Sequence, residues 1–288
     1  MAHNPKISAV AQLVRRHDRD RFVTALFAAP GRREALFALY AFNYEVARIR
    51  EAVSEPLLGS IRLQWWREAI REINEGKPPR QHEVVEALAA SFGRYQLWGT
   101  EIDRLLDARE QDMLADPPQT LAALEDYAAA TGGSLSMMAL AALDAIEWTE
   151  DQDRNQEMRE QIAARRVGTA YALAGLLRAA AFHARSGRSF IPAELDPKRS
   201  VLNLKPTPEL AQAARAIANA ARINLERARA LKDKVPRQGI AALLPAVLAE
   251  TWLKRLEAAR YDVFDPHLAA PDPWRSLRLW RAARAGRF

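Results

Sequence analysis

Carboxylate and imidazole side chains are the groups in this sequence that could bind a metal ion or transfer protons. Two carboxylate pairs, Glu51 with Glu55 and Asp103 with Asp107, have a spacing of four residues, which places each pair on one face of a helix. Such pairs could hold a divalent cation. Because arginines stand next to both pairs, the more favoured interpretation is that each pair lies on a solvent-exposed, charged face of a helix. The five histidines are scattered without the spacing of a metal site.

Several kinds of catalytic site are excluded by what the sequence lacks. The chain has no cysteine, which excludes disulfides, thiolate zinc sites and thiol nucleophiles. It contains no glycine-rich phosphate loop, no H-E-x-x-H and no G-x-S-x-G. The 288 residues include 42 lysines and arginines against 36 acidic residues, a net charge of +6. This charge favours anionic partners such as phosphates, nucleic acid or acidic lipid headgroups.

The segment from Trp274 to Phe288 is rich in arginine and contains no acidic residue. This composition suits a peripheral contact with an anionic membrane, to which each nearby basic residue contributes ~1 kcal/mol. Packing of the segment against its own domain explains the composition equally well. Nucleic-acid binding is not favoured, because no recognition motif accompanies the arginines. We therefore divide the chain into a helical domain over residues 1–270 and a basic tail over residues 271–288.

Apolar residues at steps of three and four predict an all-α protein. A series from Leu36 to Val53 marks one face of a helix, which Pro56 is expected to end. Residues 162–184 are apolar on nearly every side, so this helix is expected to lie centrally. No segment alternates with a period of two, and none is long and apolar enough to cross a bilayer. We expect one domain of about ten helices around a central pair.

Two runs of residues resemble the squalene/phytoene synthase family. Residues 35–42, ALFALYAF, resemble the entry to its first aspartate-rich helix. Residues 176–178, LLR, and 187–192, GRSFIP, resemble its second aspartate-rich helix and the following loop. The resemblance implies a single-domain, isoprenoid-synthase-like helical bundle around a central cavity. This family condenses two prenyl diphosphates head to head, with Mg²⁺ held by carboxylates of two facing helices.

The carboxylates that such a metal site needs are largely replaced in this chain. At the positions of the family's aspartates stand Ala47, Arg48 and Glu51 in the first motif, and Ala179 and His183 in the second. Only Glu51 keeps an acid, and Arg48 places a fixed cation where Mg²⁺ would need a ligand. We therefore expect no catalytic residue, no metal and no cofactor. The alternative is an active prenyltransferase with an altered metal site, which would need Mg²⁺.

The old cavity could still hold an anionic or isoprenoid lipid without a metal ion. The helix face that should line it is small and apolar apart from one imidazole, and arginines could meet an anionic head. A cavity that has been filled is an equally good interpretation. The candidate ligand-binding residues are Arg48, Glu51, Arg178, His183 and Arg188.

Residues 59–70 are similar to a non-catalytic branch of the family, the mitochondrial complex I assembly factors and their bacterial relatives. The resemblance implies a catalytically silent assembly factor for respiratory complex I. Its partners would be respiratory complex subunits or assembly proteins. Since residues 1–21 lack the apolar core of a secretory signal, we expect a cytoplasmic protein peripheral to the inner membrane, or to its matrix side in a mitochondrion. A lipid or isoprenoid carrier is a third hypothesis.

Overall fold

The computed structural model describes residues 7–53, 55–92, 99–114, 116–143 and 154–288. These ranges contain α-helices and shorter helical turns and no β-strand, which confirms the all-α prediction. The α-helices are α1 (Ala9–His17), α2 (Arg19–Ala25), α3 (Pro30–Ala47), α4 (Pro56–Asn74), α5 (Glu83–Phe92), α6 (Gly99–Glu110), α7 (Leu121–Ala128), α8 (Ser134–Ala142), α9 (Arg154–Arg178), α10 (Ala180–Arg185), α11 (Pro208–Arg229), α12 (Ile240–Leu243), α13 (Pro245–Ala258) and α14 (Arg275–Ala285). None of these helices is long and apolar enough to span a membrane.

Helix α9 is the centre of the bundle. It packs against α7, α8, α11 and α13, and its residues Val167, Leu173 and Leu177 are almost completely buried. An apolar surface on nearly all sides of a helix requires neighbours on all sides, so the predicted central position is confirmed. The predicted helix is divided at Ala179, which leaves α10 as a separate short helix.

Two glycines set the distance between α9 and the elements that face it. Between α7 and α8 the chain forms a π-helical turn, Ala129–Gly133, which packs directly on α9. A Cβ atom on Gly168 of α9 would overlap the carbonyl oxygen of Gly132, and a Cβ on Gly132 would meet that of Gly168. Only glycine allows this backbone approach, which brings α7 beside the face of α9 that lines the central cavity.

Helix α3 is shorter than the sequence predicts. The apolar series suggests a helix up to Val53, but the α-helix ends at Ala47 and a 3₁₀ turn follows over Ile49–Ala52. Ile49 is the buried residue of this turn. Short 3₁₀ turns are frequent at the ends of α-helices. Helix α4 then starts at Pro56, a favoured first helical residue.

The basic tail packs against the helical domain along one face. Leu279 of α14 is fully buried and Phe288 is 5% exposed. The Arg275 guanidinium donates a hydrogen bond to Asp20 at 2.8 Å, and Arg229 Nε donates to the Phe288 carbonyl oxygen at 2.6 Å. These contacts fix the orientation of α14 on the domain surface.

The opposite face of α14 points into solvent. Trp274 and Trp280 are 62% and 52% exposed, and Leu277 is 38% exposed. Arg281 and Arg284 are exposed on the same face, since positions 274, 277, 281 and 284 follow the three- and four-residue steps of a helix. The tail therefore packs on its own domain and also presents an aromatic and basic surface.

Candidate functional site

A central cavity of about 440 Å³ lies between the start of α2 and helices α3, α6, α7 and α9. It borders α9, the helix that the resemblance predicts to line the family's cavity, and polar and apolar atoms contribute about equally to its wall. The lining residues are His17, Asp18, Arg19, Asp20, Arg21, Asn43, Arg109, Tyr127, Thr131, Gly132, Tyr171, Ala172, Gly175, Leu176 and Arg178.

The N-terminal side of this cavity carries a partly buried ion pair. Arg21 Nη1 donates to Asp18 Oδ2 at 2.8 Å, and Asp18 Oδ1 accepts from the backbone N–H of Arg21 at the start of α2. The guanidinium lies over the Tyr171 ring, 4.8 Å from its centroid, and 5.7 Å from that of Tyr40. This charge is therefore held by a carboxylate and two aromatic faces.

Asp20 joins three distant parts of the chain. Its carboxylate accepts hydrogen bonds from Arg178 Nη1 at 2.9 Å and from Arg275 Nη1 at 2.8 Å. Burial alone would raise the pKa of Asp20, but these two guanidiniums hold it below its usual value. At neutral pH the carboxylate is charged and connects α2, the end of α9 and α14.

A third buried network lies where α6 meets α7. Arg109 Nη1 donates to Tyr127 Oη at 2.7 Å and to Asp112 Oδ2 at 3.2 Å, and Tyr127 Oη donates to Asp112 Oδ1 at 2.8 Å. Burial raises the pKa of Tyr127 well above its usual value, so the phenol stays protonated. The cavity carboxylates Asp18 and Asp20, and the adjacent Asp112, are thus already neutralised by guanidiniums.

The residues at the family's metal positions do not fit Mg²⁺. This ion requires several oxygen ligands in octahedral geometry, whereas these positions supply Ala47, Arg48, Glu51, Ala179 and His183. No group of three or more histidine or acidic side chains among the residues that the structure describes could hold a metal ion. We derive no metal-dependent step for this site.

Of the five predicted ligand-binding residues, Arg178 lines the central cavity, and Arg48, Glu51, His183 and Arg188 do not. Arg48 lines a separate cavity of about 320 Å³ with Trp65, Trp66 and His82, and its nearest carboxylate is that of Glu45 at 3.7 Å. Glu51 lies in the 3₁₀ turn after α3 and is exposed. The structure places the guanidiniums of Arg48 and Arg178 in different cavities.

The other predicted residues lie along α9, α10 and the loop after it. Arg178 lines the central cavity and is bound to Asp20. His183 and Arg188 both contact Phe190, with the imidazole centroid 4.8 Å from the ring and the guanidinium 5.4 Å from it. Arg188 Nη2 also donates to the Asp112 carbonyl oxygen at 2.7 Å. Their role in ligand binding stays a prediction.

His183 is expected to make the folded protein sensitive to mild acid. Burial and the nearby Arg188 guanidinium lower the pKa of His183 to about 4, against about 6.5 in an unfolded chain. The unfolded state therefore binds the extra proton between these values, and stability is lost as the pH falls through this range. For the His183→Gln protein, the loss of unfolding free energy between pH 7 and pH 4.5 should be smaller by about 2 kcal/mol.

Urea unfolding of both proteins at the two pH values measures this difference. Protonation of carboxylates that are ion-paired in the folded state, such as Asp20, also lowers the unfolding free energy in acid. This contribution is the same in both proteins. Equal pH dependence of the two proteins would contradict the prediction.

The two carboxylates on the N-terminal side of this cavity are site residues that the sequence patterns did not predict. Asp18 and Asp20 lie in residues 17–21, HDRDR, which match no motif of a known site. The alternating charges of residues 17–21 before the apolar helix α3 were the one local feature that could have indicated a charged site. The partners of Asp20 are 158 and 255 residues further along the chain, so no local pattern could identify them.

Comparison with known proteins gives one family and one fold. Residues 14–276 match the family model described as squalene/phytoene synthase. The chain is 27% identical over 274 residues to the NADH dehydrogenase (ubiquinone) complex I, assembly factor 6 of Bos taurus, which covers 93% of this chain and 79% of the relative. The Homo sapiens protein of that name shows the same identity and coverage. A Drosophila melanogaster homolog is 27% identical over 291 residues, covering 96% and 83%.

Solved structures share the arrangement of helices. A dehydrosqualene synthase in complex with a ligand superposes with a TM-score of 0.73 at 17% identity, covering 96% of this chain and 94% of that one. The squalene synthase HpnC from Alicyclobacillus acidocaldarius also gives 0.73, at 18% identity, covering 88% and 93%. At these identities the likeness establishes the fold alone.

Proposed function

Because this chain belongs to the squalene/phytoene synthase family, we propose that it is a member without prenyl-transfer activity that assists the assembly of respiratory complex I at a membrane surface. The observation that carries this proposal is the similarity to proteins named complex I assembly factor 6, which extends over 93% of the chain. Similarity of this length includes the helices that form the central cavity as well as the surface.

The chemistry of the central cavity supports a function without prenyl transfer. Ionisation of a prenyl diphosphate needs cations that neutralise the leaving group, a role that metal ions commonly fill. In this chain Ala47, Ala179 and His183 stand where the family has metal-binding aspartates. The carboxylates that the cavity does contain, Asp18 and Asp20, are bound to arginines. A structural or binding role needs none of the lost carboxylates.

The outward face of α14 supports the location at a membrane. Tryptophan is favoured at membrane interfaces, and Trp274 and Trp280 both lie more than half exposed beside Arg281 and Arg284. The buried Leu279 holds the helix in place, so the face would be presented without refolding. We propose a peripheral contact with the inner membrane, with subunits or assembly proteins of complex I as partners.

Deletion of the gene in the native host tests the assembly role. We expect membranes of the deletion strain to lose NADH:ubiquinone oxidoreductase activity and the assembled complex on native gels. Succinate-driven respiration should be unchanged, and the intact gene should restore complex I. A deletion strain with normal amounts of assembled complex I would overturn the proposal.

An enzymatic assay separates this proposal from the alternative prenyltransferase. Purified protein with Mg²⁺ and farnesyl or geranylgeranyl diphosphate should release no pyrophosphate above the amount from a heat-inactivated sample. Turnover that EDTA abolishes would establish the alternative. The two experiments together distinguish a silent assembly factor from an enzyme whose product is needed by complex I.

A further inference from the structure

A second cavity, of about 710 Å³, lies between α10, α13 and the segment over residues 263–275. We call it the outer groove. It shares Asp20 and Arg178 with the central cavity, and all its other lining residues are different. Its volume is in the range of sites that bind small organic molecules.

One wall of the outer groove is apolar but contains an unsatisfied donor. Trp252 is 8% exposed, and its Nε1 has no hydrogen-bond acceptor among the described residues. The Nε1 atom is itself buried away from solvent, so Trp252 offers a ligand in the groove apolar ring surface. The apolar side chains beside it are Leu248, Val263, Phe264 and Leu268.

Positive charge exceeds negative charge at the α10 end of the groove. Arg178 and Arg275 share the single carboxylate of Asp20. Arg185 is exposed and has no ion pair in the described structure. Three guanidiniums thus face one carboxylate, which favours a bound anion. At the other end, Asp272 is paired with Arg255 and Arg278, and Asp265 accepts a hydrogen bond from the backbone N–H of His267.

The mouth of the groove is bordered by exposed apolar side chains. Leu204, which lines the groove, is 39% exposed. Phe182 and Trp274, each next in sequence to a lining residue, are 50% and 62% exposed. Trp274 also begins the outward face of α14. Through its lining residue Arg275, the groove adjoins Trp274 at the start of the face that we propose contacts the membrane.

We propose that the outer groove binds one anionic phospholipid drawn from that membrane. The phosphate contacts Arg185 and Arg178, and an acyl chain lies along the apolar wall that includes the Trp252 ring. This inference deepens the proposed function, because it relies on the membrane contact of α14 as the source of the lipid.

Titration calorimetry with a soluble lipid tests the site without a membrane. The probes are dioctanoyl phosphatidylglycerol below its micellar concentration, dioctanoyl phosphatidylcholine and inorganic phosphate, each added to the delipidated full chain. We expect phosphatidylglycerol to bind and phosphatidylcholine to bind about tenfold more weakly or less, since it lacks net negative charge. Inorganic phosphate should not bind in the same range, because it leaves the apolar wall empty.

Two variants and a matched control locate the binding. Arg185→Ala should weaken phosphatidylglycerol binding about tenfold. Trp252→Phe keeps an aromatic ring but reduces the apolar surface of the wall, so it should weaken phosphatidylglycerol binding. Arg227→Ala removes an exposed arginine of α11 that does not line the groove, and it should bind like the unmodified protein.

Each contrary result has a distinct meaning. No binding of phosphatidylglycerol, or equal binding by the Arg185→Ala protein, would overturn the proposal. Equal affinity for inorganic phosphate would show an anion site rather than a lipid site and would also overturn it. Because no membrane and no complex I subunit is present, these failures are separate from failure of the proposed function.

Discussion

The Gly168→Ala protein is expected to be severely destabilised, by about 3 kcal/mol or more. The added methyl group would overlap the carbonyl oxygen of Gly132. The methyl group is fixed to the backbone of α9 and the oxygen is part of the backbone of the π-helical turn, so the overlap is relieved only if these two elements separate. Urea unfolding followed by circular dichroism measures the loss. Since α9 is central, the protein should unfold cooperatively at much lower urea concentration.

Gly175→Ala is the matched control on the same helix. A Cβ at this position would meet no atom within 4 Å, and alanine is favoured over glycine in a helix by about 0.5–1 kcal/mol. This protein should therefore be slightly more stable than the unmodified one. If both alanine variants had the same stability, the close backbone approach at Gly132 would not be a constraint on the fold.

The second large effect is expected in membrane binding through α14. Arg281→Ala combined with Arg284→Ala should weaken binding to vesicles containing phosphatidylglycerol about 30-fold, because each basic residue near an anionic surface contributes about 1 kcal/mol. Both side chains are exposed on the outward face, so the fold should be unaffected. Vesicle sedimentation at low salt measures the affinity, and added salt should weaken binding of the unmodified protein.

Arg15→Ala combined with Arg16→Ala is the control for net charge. These residues are exposed on α1, and their removal lowers the charge by the same amount. This protein should sediment with vesicles nearly as well as the unmodified one. Equal weakening by both double variants would show attraction by net charge rather than docking through α14.

The helical bundle could be predicted because each helix carries its own apolar pattern. The steps that end in the buried Leu173 and Leu177 place α9 centrally without knowledge of any partner. The end of α3 could not be predicted in this way. Ile49 continues the apolar spacing, and only the folded chain shows that it does so in a 3₁₀ turn.

The candidate site was less predictable than the fold, because it is built by contacts between distant segments. The loss of acidic residues at positions 47 and 179 is visible in the sequence. The pairing of Arg178 with Asp20 is not, and neither is the separation of Arg48 from Arg178 into two cavities. Long-range ion pairs leave no periodic signal, so charge patterns near residue 20 had no evident meaning before the structure.

The contacts of Asp20 also have a consequence for the order in which the protein becomes complete during translation. Asp20 leaves the ribosome long before Arg178, which follows 158 residues later, and Arg275, which follows after 255. Closing such long loops costs conformational entropy. The helices that lie in sequence between Asp20 and its partners must therefore already be packed for these ion pairs to persist. A nascent chain lacking α14 would hold Asp20 through Arg178 alone. The outward face of α14 would thus be positioned only after the helices of the bundle have packed.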